Sequence, residues 1–489
     1  MVKQLASDVG LVWFRVGDLR LADNPALAAA LADGLVVPFF AWTPTEDGAW
    51  APGAASRWWL HHSLAELAHA LEQCGSRLIL RRGASTSQVL ASLVAETGAT
   101  RLYFNRGYTP AERSSEASIE HIQVRAISSN ARLLVEPSEV RRQGETPFRV
   151  FSAFWRSTAP YIPVATPRPA PGRIAGPLNW PGSESLQALG LLPVPDWAAG
   201  LRSTWRPGEP AALRALEHFL DSALPRYQPE RDLPDRDATS RLSPYLHFGE
   251  VGPRQVWFGL QRRIEAAEPG SGLAKSIEVL RRELGWREFA TYLLYHLPRL
   301  LDESLDSAFD HLDWRTPSAD ARAWQRGRTG YPLIDAGMRQ LWQTGWMHNR
   351  VRMVVGSFFV KDLLLRWQDG ARWFWDTLVD ADLANNTLGW QWTAGCGPDA
   401  APFTRVFNPT LQAQRFDSGG DYIRRFLPEL SRLPAPYIHA PWTAPGMVLA
   451  EAGVTLGREY PWPIVDHPMA RARALSAFNT PRAMARGGA

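Results

Sequence analysis

The spacing of apolar residues changes once along this chain of 489 residues, and the change restricts the folds available to it. Up to about residue 135, short apolar runs alternate with amphipathic stretches, which is the pattern of a parallel β-sheet covered by helices. The apolar runs occupy 9–16, 35–42, 77–83, 100–107 and 131–138. Past residue 210 the patterns have helical spacing, over 211–224, 252–267, 274–297, 333–344 and 347–367. The sequence therefore predicts the α/β class, with a parallel-sheet domain followed by an all-α domain.

A segment rich in proline and glycine separates the two patterns. It has little periodicity and contains Pro160, Pro163, Pro167, Pro169, Pro171, Pro177 and Pro181, so it is expected to be a long surface connection. We predict an α/β domain over 1–135, an interdomain linker over 136–209, an all-α domain over 210–463 and a C-terminal tail over 464–489. The tail is rich in Arg, Ala and Gly and is expected to be partly disordered. Chain length alone also favours two domains.

Composition narrows the class of protein. The formal charge of +4 is mildly basic, and nearly all of the cations are arginines, because the only lysines are Lys3, Lys275 and Lys361. Guanidinium groups can bind phosphate and stack on bases, although genomic base composition explains such a bias equally well. Two cysteines, Cys74 and Cys396, are too few for a disulfide framework or a metal site. With Asp8 near the start and no apolar run of membrane length, a soluble, cytoplasmic protein is expected.

Polar and aromatic residues are densest between Thr329 and Pro409. The run HNRVR at 348–352 has helical pitch, so Asn349, Arg352 and Met353 should share one face of a helix. Asp380 and Asp382 fit a loop or helix start, where a carboxylate can pair with Arg352. Four indoles border this cluster: Trp314, Trp367, Trp390 and Trp392. The segment predicts a buried, redox-active aromatic cofactor beside a polar hole. The alternative is a structural ion pair among tryptophans that only pack, since the chain contains 22 of them.

A second polar group precedes a predicted helix. Its members are Thr239, Ser240, Arg241, Leu242 and Ser243, with Pro244 next. With Ser243 as N-cap and Pro244 at the first helical position, hydroxyls and backbone N–H groups would form an anion site suited to a pyrophosphate. An ordinary capped helix is the alternative. Since no GxGxxG follows the first predicted strand, a dinucleotide would have to bind elsewhere than in that turn.

Several long runs of the chain carry a resemblance to a known family. They are LVWFRVGDLRLADNPAL from residue 11, TSRLSPYLHFG from residue 239, TGYPLIDAGMRQLWQTGWMHNRVRM, DADLANNTLGWQW, and APFTRVFNP ending at residue 409. In this order they resemble the photolyase/cryptochrome family, and within it the class I enzymes that repair cyclobutane pyrimidine dimers. The resemblance implies that the N-terminal domain is Rossmann-like and that the all-α domain binds FAD.

The resemblance also implies roles for individual residues around FAD. Those expected to bind it are Tyr227, Thr239, Ser240, Arg241, Leu242, Ser243, Glu283, Arg287, Asn349, Arg352, Asp380, Asp382 and Asn386. Asn386 falls at the position that faces flavin N5 in this family. Trp390, Trp367 and Trp314 match the family's electron-supplying tryptophans, in order from the flavin outward. Glu283 is counted with Asn386 and these tryptophans among the catalytic residues.

The implied function is light-driven DNA repair, in which excited reduced FAD passes an electron to a flipped-out dimer. Residues expected to contact DNA are Glu283, Trp286, Asn349, Arg350, Met353, Trp392, Arg405 and Gln412. Relatives specific for (6-4) photoproducts have histidines at the positions of Asn349 and Met353, so that activity is less favoured, and His348 is interpreted as structural. A cryptochrome-type signalling flavoprotein is the other alternative. The expected partner is UV-damaged DNA, bound by a monomer.

Two departures from the family bear on a second, light-harvesting chromophore. WFRVGDLR from residue 13 is one residue longer than the family's usual motif. In YTPAE from residue 108, Ala111 stands where folate-binding members have Asn. Both weaken the case for a folate antenna, so folate, a deazaflavin, another flavin or no antenna remain open.

Overall fold

The computed structural model of the protein describes residues 9–140, 146–317, 319–400 and 404–487, with side chains up to Phe478. Its strands are β1 (Val9–Phe14), β2 (Leu35–Trp42), β3 (Ile79–Arg82), β4 (Arg101–Asn105) and β5 (Arg125–Ser129). All neighbours are parallel, in the order β3-β2-β1-β4-β5. Helices α1 (Pro25–Asp33), α2 (Ala54–Gln73), α3 (Thr86–Thr97) and α4 (Pro110–Ala117) lie between them. The predicted Rossmann-like parallel sheet is confirmed.

The prediction of a fifth strand over 131–138 is wrong. That segment is buried at Leu133 and Leu134, but it is not part of the sheet, whose fifth strand is β5. The backbone N–H groups of Leu134 and Val135 donate to Glu288 Oε2, at 2.8 and 3.3 Å. The Glu288 carboxylate thus accepts the backbone hydrogen bonds that a neighbouring strand would otherwise accept. An apolar run in the sequence does not distinguish pairing with a strand from pairing with a side chain.

The segment between the two main parts of the chain contains more regular structure than its proline content suggested. Helices α5 (Phe151–Thr158) and α6 (Ala199–Thr204) lie within it, separated by an irregular stretch. The irregular stretch is held down by buried apolar side chains, namely Ile162, Ile174, Leu189 and Leu191. α5 packs against a long helix of the C-terminal part, so the connection is an integral part of the molecule's core.

The rest of the described chain is helical, as predicted. Its helices are α7 (Glu209–His218), α8 (Tyr227–Glu230), α9 (Ser243–Phe248), α10 (Pro253–Glu265), α11 (Gly272–His296), α12 (Ala319–Gln325), α13 (Pro332–Thr344), α14 (Asn349–Ser357), α15 (Trp367–Thr377), α16 (Leu383–Ala394), α17 (Pro409–Phe416), α18 (Asp421–Phe426), α19 (Ala435–Ile438), α20 (Gly446–Ala452) and α21 (His467–Gly487).

Local signals set the ends of the helices that carry the site. α11 begins where Ser271 accepts a hydrogen bond from the Ala274 N–H, and it ends just before Pro298. α16 begins after Asp382, which accepts from the Asn385 N–H, and it ends at Gly395 in the left-handed region. These caps fix where each side chain of the two helices projects.

The single helix predicted over 347–367 is interrupted. α14 continues into a π-helical turn, Phe358–Asp362, and Leu364 then has a positive φ of 54° before α15 begins at Trp367. The carbonyls of Leu363 and Leu364 accept from Arg315, at 3.2 and 2.9 Å, instead of from a following turn. The helical spacing of the run therefore does not reveal the break.

The C-terminal tail, expected to be partly disordered, forms α21 from His467 to the end of its described residues. Ala470, Ala474 and Phe478 are buried against the helical core, while the side chains beyond Phe478 and the last two residues lie outside the described residues. Nowhere in the described chain is a helix both long and apolar enough to cross a membrane.

Candidate functional site

A cavity of about 530 Å³ opens among α11, α14, α15 and α16. Helices α11, α14 and α16 each contribute residues three or four positions apart, which lie on one face, and α15 contributes Phe374. The predicted site residues that line the cavity are Glu283, Trp286, Arg287, Asn349, Arg350, Arg352, Met353, Asp380, Asn386, Trp390 and Trp392. The structure therefore brings together part of the predicted flavin side with most of the predicted DNA side, and Tyr227, residues 239–243, Asp382, Arg405 and Gln412 do not line this cavity.

An ion pair occupies one wall of this cavity. Arg352 Nη2 donates to both carboxylate oxygens of Asp380, at 3.1 and 2.8 Å, and Arg352 Nε donates to the Met347 carbonyl at 2.7 Å. Ser243 Oγ donates to Asp380 Oδ2 at 2.6 Å. The Asp380 side chain is almost fully buried, so this network holds a cation at the cavity surface in a fixed orientation.

This network corrects the predicted role of Ser243. Leu242 precedes α9 as its N-cap, no side chain caps the helix, and Ser243 is already the first helical residue. Its hydroxyl donates to Asp380, 137 residues away in sequence, and accepts from Trp346 Nε1 at 3.4 Å. Ser243 consequently joins the 239–243 loop to the cavity wall.

The 239–243 loop holds a cation in an unusual setting. Arg241 has a positive φ of 49°, rare for a residue with a side chain. Its guanidinium lies over the rings of Trp205 and Trp346, at 4.9 and 5.2 Å, and burial lowers its pKa. Among the residues that the structure describes, none is a hydrogen-bond partner of its buried Nε. The loop is thus poised to accept an anion, although Tyr227 and residues 239–243 are not among the residues that line the 530 Å³ cavity.

Asp382 and Asn386 are positioned by the start of α16. Asp382 accepts from the Asn385 N–H and from Asn385 Nδ2, at 2.9 and 2.7 Å. Burial alone would raise the pKa of Asp382, but His247, whose Nδ1 lies 3.8 Å from the carboxylate, and the nearby cations together hold it well below its usual range. Asn386 Nδ2 donates to the Ala371 carbonyl at 3.0 Å. The amide of Asn386 is therefore held in one orientation at the cavity surface.

Among the charged residues that line the cavity, Arg231 and Asp232 were not predicted from the sequence. Arg231 donates to Glu283 at 2.6 Å, and Asp232 accepts from Arg350 at 2.6 Å. The partners are 52 and 118 residues apart in sequence, so no spacing rule connects them. The only available signal was the position of Arg231 and Asp232 in a charged stretch between Tyr227 and the 239–243 loop.

The DNA-side residues form walls and a rim. Trp286 stacks on Phe151, with ring centroids 3.9 Å apart and planes at 10°, while Trp392 is half-buried on α16. Arg350 also lies over the Phe416 ring at 4.5 Å. Arg405 is exposed and Gln412 lies on α17; neither lines the cavity in the described structure.

The inner two predicted electron-supplying tryptophans, Trp390 and Trp367, are both positioned by α15. The Trp390 ring lies against Gly370, where an added Cβ would be 2.8 Å from Cζ2 of the indole and closer still to two other ring atoms. Trp367 is one turn earlier on α15, hence on the same face. It is fully buried, and its Nε1–H donates to Ser304 Oγ at 3.3 Å.

Trp314 lies farther from the cavity. Its neighbour Arg315 donates its N–H to the Leu364 carbonyl at 2.9 Å, three residues before Trp367. Trp314 is half-buried and meets Phe478 of α21 edge to face, with centroids 6.1 Å apart. All three tryptophans belong to or pack against one hydrophobic cluster, and they run from the cavity towards the surface.

A second cavity of about 270 Å³ lies at the carboxyl ends of β1 and β2, between the sheet and the helices. Its lining includes Trp13, Trp42, Asp47, Trp50, Ala111, Glu112, Arg132, Trp375, Ala381 and Asp382. Burial raises the pKa of Asp47 to about 7, with help from neighbouring carboxylates. Burial alone would raise the pKa of Glu112 too, but Arg132 and Arg15 bring it down to about 2. Indoles and both charge types thus surround the space.

Known proteins resemble this chain along nearly its whole length. A family model described as DNA photolyase matches residues 10–171, and one described as the FAD binding domain of DNA photolyase matches residues 279–480. A deoxyribodipyrimidine photo-lyase of Agrobacterium fabrum is 46% identical, covering 96% of this chain and 97% of the relative. Cryptochrome-1 of Arabidopsis thaliana is 41% identical, covering 96% and 70%. A solved bacterial class III photolyase from Agrobacterium tumefaciens has a TM-score of 0.92 at 44% identity, covering 99% of each chain.

The helical part is therefore an FAD-binding domain, and its residues fit this cofactor. The unpartnered Nε of Arg241 and the strained 239–243 loop suit a pyrophosphate. Gly389 of α16 faces open space on the cavity side, so a planar ring can approach the backbone there. One solved relative is a class III enzyme, and assignment to class I stays a prediction. The chain belongs to the photolyase/cryptochrome family.

Proposed function

We propose that the protein is a deoxyribodipyrimidine photo-lyase, which splits cyclobutane pyrimidine dimers in DNA in the light. One observation carries the proposal: a single cavity joins the polar group of Asn386, Arg352 and Asp380 to the half-buried indoles of Trp286 and Trp392. Bound FAD, when reduced and excited by light, supplies an electron to the dimer and recovers it after the ring opens. The chain's own residues bind and orient both partners.

The DNA side of the cavity suits two extruded bases. Enzymes that act on a base within a duplex, photolyases included, take it out of the stack. Trp286 and Trp392 offer stacking surfaces, worth about 1 to 3 kcal/mol per base, and Met353 offers an apolar contact. Glu283, paired with Arg231, can accept from a ring N–H, while the Asn349 amide can both donate and accept.

The rim would contact the DNA backbone. Arg405 is exposed, and Arg350 lies at the cavity edge with its guanidinium shared between Asp232 and the Phe416 ring. Gln412 on α17 can donate to a phosphate oxygen. We propose UV-damaged DNA as the partner of this surface, bound by a single copy of the chain.

Electron supply to the cofactor is assigned to Trp390, Trp367 and Trp314. Their order from the cavity outward ends at the half-buried Trp314, which an external reductant can approach. The role of Asn386 and of the ion pair of Arg352 and Asp380 is to fix polar groups against the cofactor's ring. Because the Asn386 amide is held by the Ala371 carbonyl, it needs no rearrangement to do so.

Two other functions within the family are weaker candidates. A (6-4) photolyase is disfavoured because Asn349 and Met353, rather than histidines, line the cavity. A signalling cryptochrome is supported by the similarity to Cryptochrome-1 of Arabidopsis thaliana. The complete set of base-contacting residues, Glu283, Trp286, Asn349, Met353 and Trp392, favours repair.

The second cavity is our candidate site for an antenna chromophore. Its four indoles can stack on a planar heterocycle, and Asp47, with its pKa near 7, can donate or accept a hydrogen bond. Ala111 lines it, at the position where folate-binding relatives have Asn. The choice among folate, a deazaflavin and another flavin stays open.

The proposal is tested with chemically reduced protein and an oligonucleotide containing one thymine dimer. Blue light should restore the base absorbance near its maximum, and a dark sample should show no recovery. A matched oligonucleotide with a (6-4) photoproduct should remain unrepaired. If protein with bound, photoreducible FAD leaves the dimer intact in the light, the repair function is wrong and a cryptochrome or (6-4) activity takes its place.

A further inference from the structure

Three aromatic rings stack behind the DNA-side wall of the main cavity. Phe151 lies face to face with Trp286, with centroids 3.9 Å apart and planes at 10°. Trp155 stacks on the same phenylalanine at 6.0 Å and 14°. Trp286 lines the cavity, whereas Phe151 is 1% exposed and does not. Phe151 therefore covers one face of the Trp286 indole while another part of that indole remains accessible.

The stack is closely confined. Aromatic pairs usually prefer centroid separations of about 4.5 to 7 Å, so the 3.9 Å contact of Phe151 and Trp286 depends on the packing around it. Phe289 meets both rings edge to face, with centroids 5.9 Å away from each. At Gly285, an added Cβ would lie 2.5 Å from Cε3 of the Trp155 ring, so α5 approaches α11 as closely as a glycine permits. The Trp286 indole has little freedom to rotate.

Phe151 is also tied to the other wall. Its backbone N–H donates to Asp399 Oδ2 at 3.3 Å, and Asp399 lies in the loop that follows α16, the helix that carries Trp392. Asp399 has a positive φ of 47°, so its loop holds a costly conformation. One residue of α5 thus contacts both the Trp286 indole and the loop next to Trp392.

We propose that Phe151 is a positioning residue for lesion recognition: it fixes the plane of Trp286 so that this indole faces Trp392 across the space for the flipped bases. The inference rests on the proposed function of the cavity. The segment predicted as a linker then has a second task, because its first helix sets the shape of the substrate wall.

Phe154 provides a matched control on the same helix. Like Phe151 it is 1% exposed and packs on Phe289, with centroids 5.1 Å apart. Its other aromatic partners are Tyr292, at 5.1 Å, and Phe148, at 6.4 Å, not Trp286. The variants Phe151→Leu and Phe154→Leu therefore remove the same ring at the same depth of the same core. Only the first removes the support of Trp286.

The experiment measures the affinity of the FAD-loaded protein for a dimer-containing duplex and for the same duplex without the dimer. Phe151→Leu should weaken dimer binding by about two- to tenfold, the equivalent of one aromatic pair, with the undamaged duplex unaffected. Phe154→Leu should leave the ratio of the two affinities at the parent value. Phe151→Tyr, which keeps the ring, should restore the ratio.

The same measurements in a Trp286→Ala background separate positioning from general stability. There Phe151→Leu should have no further effect on the ratio, because the ring that it supports is gone. A Phe151→Leu effect that persists in this background, or an equal effect of Phe154→Leu, would overturn the inference. A parent protein without preference for the dimer would instead refute the proposed function. A parent preference that is lost in Trp286→Ala but kept in Phe151→Leu refutes the positioning role alone.

Discussion

Gly370→Ala offers a sharp test of how Trp390 is held beside the cavity. A Cβ at this position would lie 2.8 Å from Trp390 Cζ2 and closer to two further ring atoms. Carbon atoms in contact are normally about 3.5 to 4.0 Å apart, so the indole would have to withdraw by more than about 1 Å. Phe374, Phe359 and Trp324 surround it, with centroids at 5.0, 5.8 and 6.3 Å, and they leave it no space on the core side.

Two effects of opposite sign determine the stability of this variant. Overpacking a filled core costs about 1 to 3 kcal/mol. Replacing a glycine inside a helix by alanine gains about 0.5 to 1 kcal/mol. We expect the steric cost to dominate, with a net loss of about 1 to 2 kcal/mol in the free energy of unfolding. The displaced indole of Trp390 would also move towards the cavity, so retention of FAD should fall.

A second substitution reverses the sign. The atoms that meet the added methyl belong to the outer part of the Trp390 indole, which Trp390→Phe removes. In the Trp390→Phe background, Gly370→Ala should therefore stabilise the protein by about 0.5 to 1 kcal/mol. Denaturant midpoints and slopes for all four proteins give the interaction energy directly, and the ratio of flavin to protein absorbance gives FAD retention. If Gly370→Ala stabilises the protein with Trp390 present, the packing argument is refuted.

Three further substitutions test other parts of the site. Trp314→Phe should slow photoreduction of the oxidised protein and leave repair by chemically reduced protein intact. The same change at the exposed Trp462 should leave both photoreduction and repair unchanged. Equal photoreduction rates in Trp314→Phe and the parent would remove Trp314 from the electron path. Asn386→Asp places a negative charge where the amide now lies, so the absorbance course of photoreduction should change, and an unchanged course would count against its place beside the flavin ring. Burial lowers the pKa of His348 to about 4 from 6.5. Between these two pH values the His348 imidazole is therefore protonated in the unfolded chain and neutral in the folded one. His348 therefore supports stability above pH 6.5 and loses up to about 3 kcal/mol of that support as the pH falls towards 4. His348→Asn keeps an acceptor for the Arg350 N–H. In this variant the free energy of unfolding should vary less with pH between 4 and 6.5. A curve parallel to the parent's would show that His348 is not the titrating group.

Periodicity predicted the fold because it reflects burial, and it failed where burial arises in other ways. The runs at 9–16 and 35–42 are buried on both faces of a sheet, which is the situation the pattern describes. The run at 131–138 also has a buried apolar centre, Leu133 and Leu134, but its backbone donates to Glu288 of α11. The helical run over 347–367 breaks at Leu364 because Arg315, far upstream, takes the backbone carbonyls. In both cases a distant side chain decides the backbone conformation.

The cavity was predictable to the extent that its residues lie on single helices. Asn349, Arg352 and Met353 are three and four residues apart on α14, and they line one cavity. Pairs that close the cavity between helices, such as Arg231 with Glu283, have no local signature. The contact of Phe151 with Trp286 could not be predicted from the sequence for the same reason, since it forms only where α5 packs on α11.

The short segment from Asp380 to Asp382 links the two cavities physically. Asp380 faces the larger cavity, Asp382 faces the smaller one, and Ala381 lines both. The wall between them is thus about one backbone thick at this point. An antenna chromophore in the smaller cavity, as proposed above, would share this wall with the FAD site, which favours transfer of excitation without any contact between the two ligands. Because the wall is thin, substitutions at Asp380 or Asp382 should perturb both cavities. A substitution of Asp380 that removes the partner of Arg352 should therefore change the absorbance spectrum of a ligand bound in either cavity.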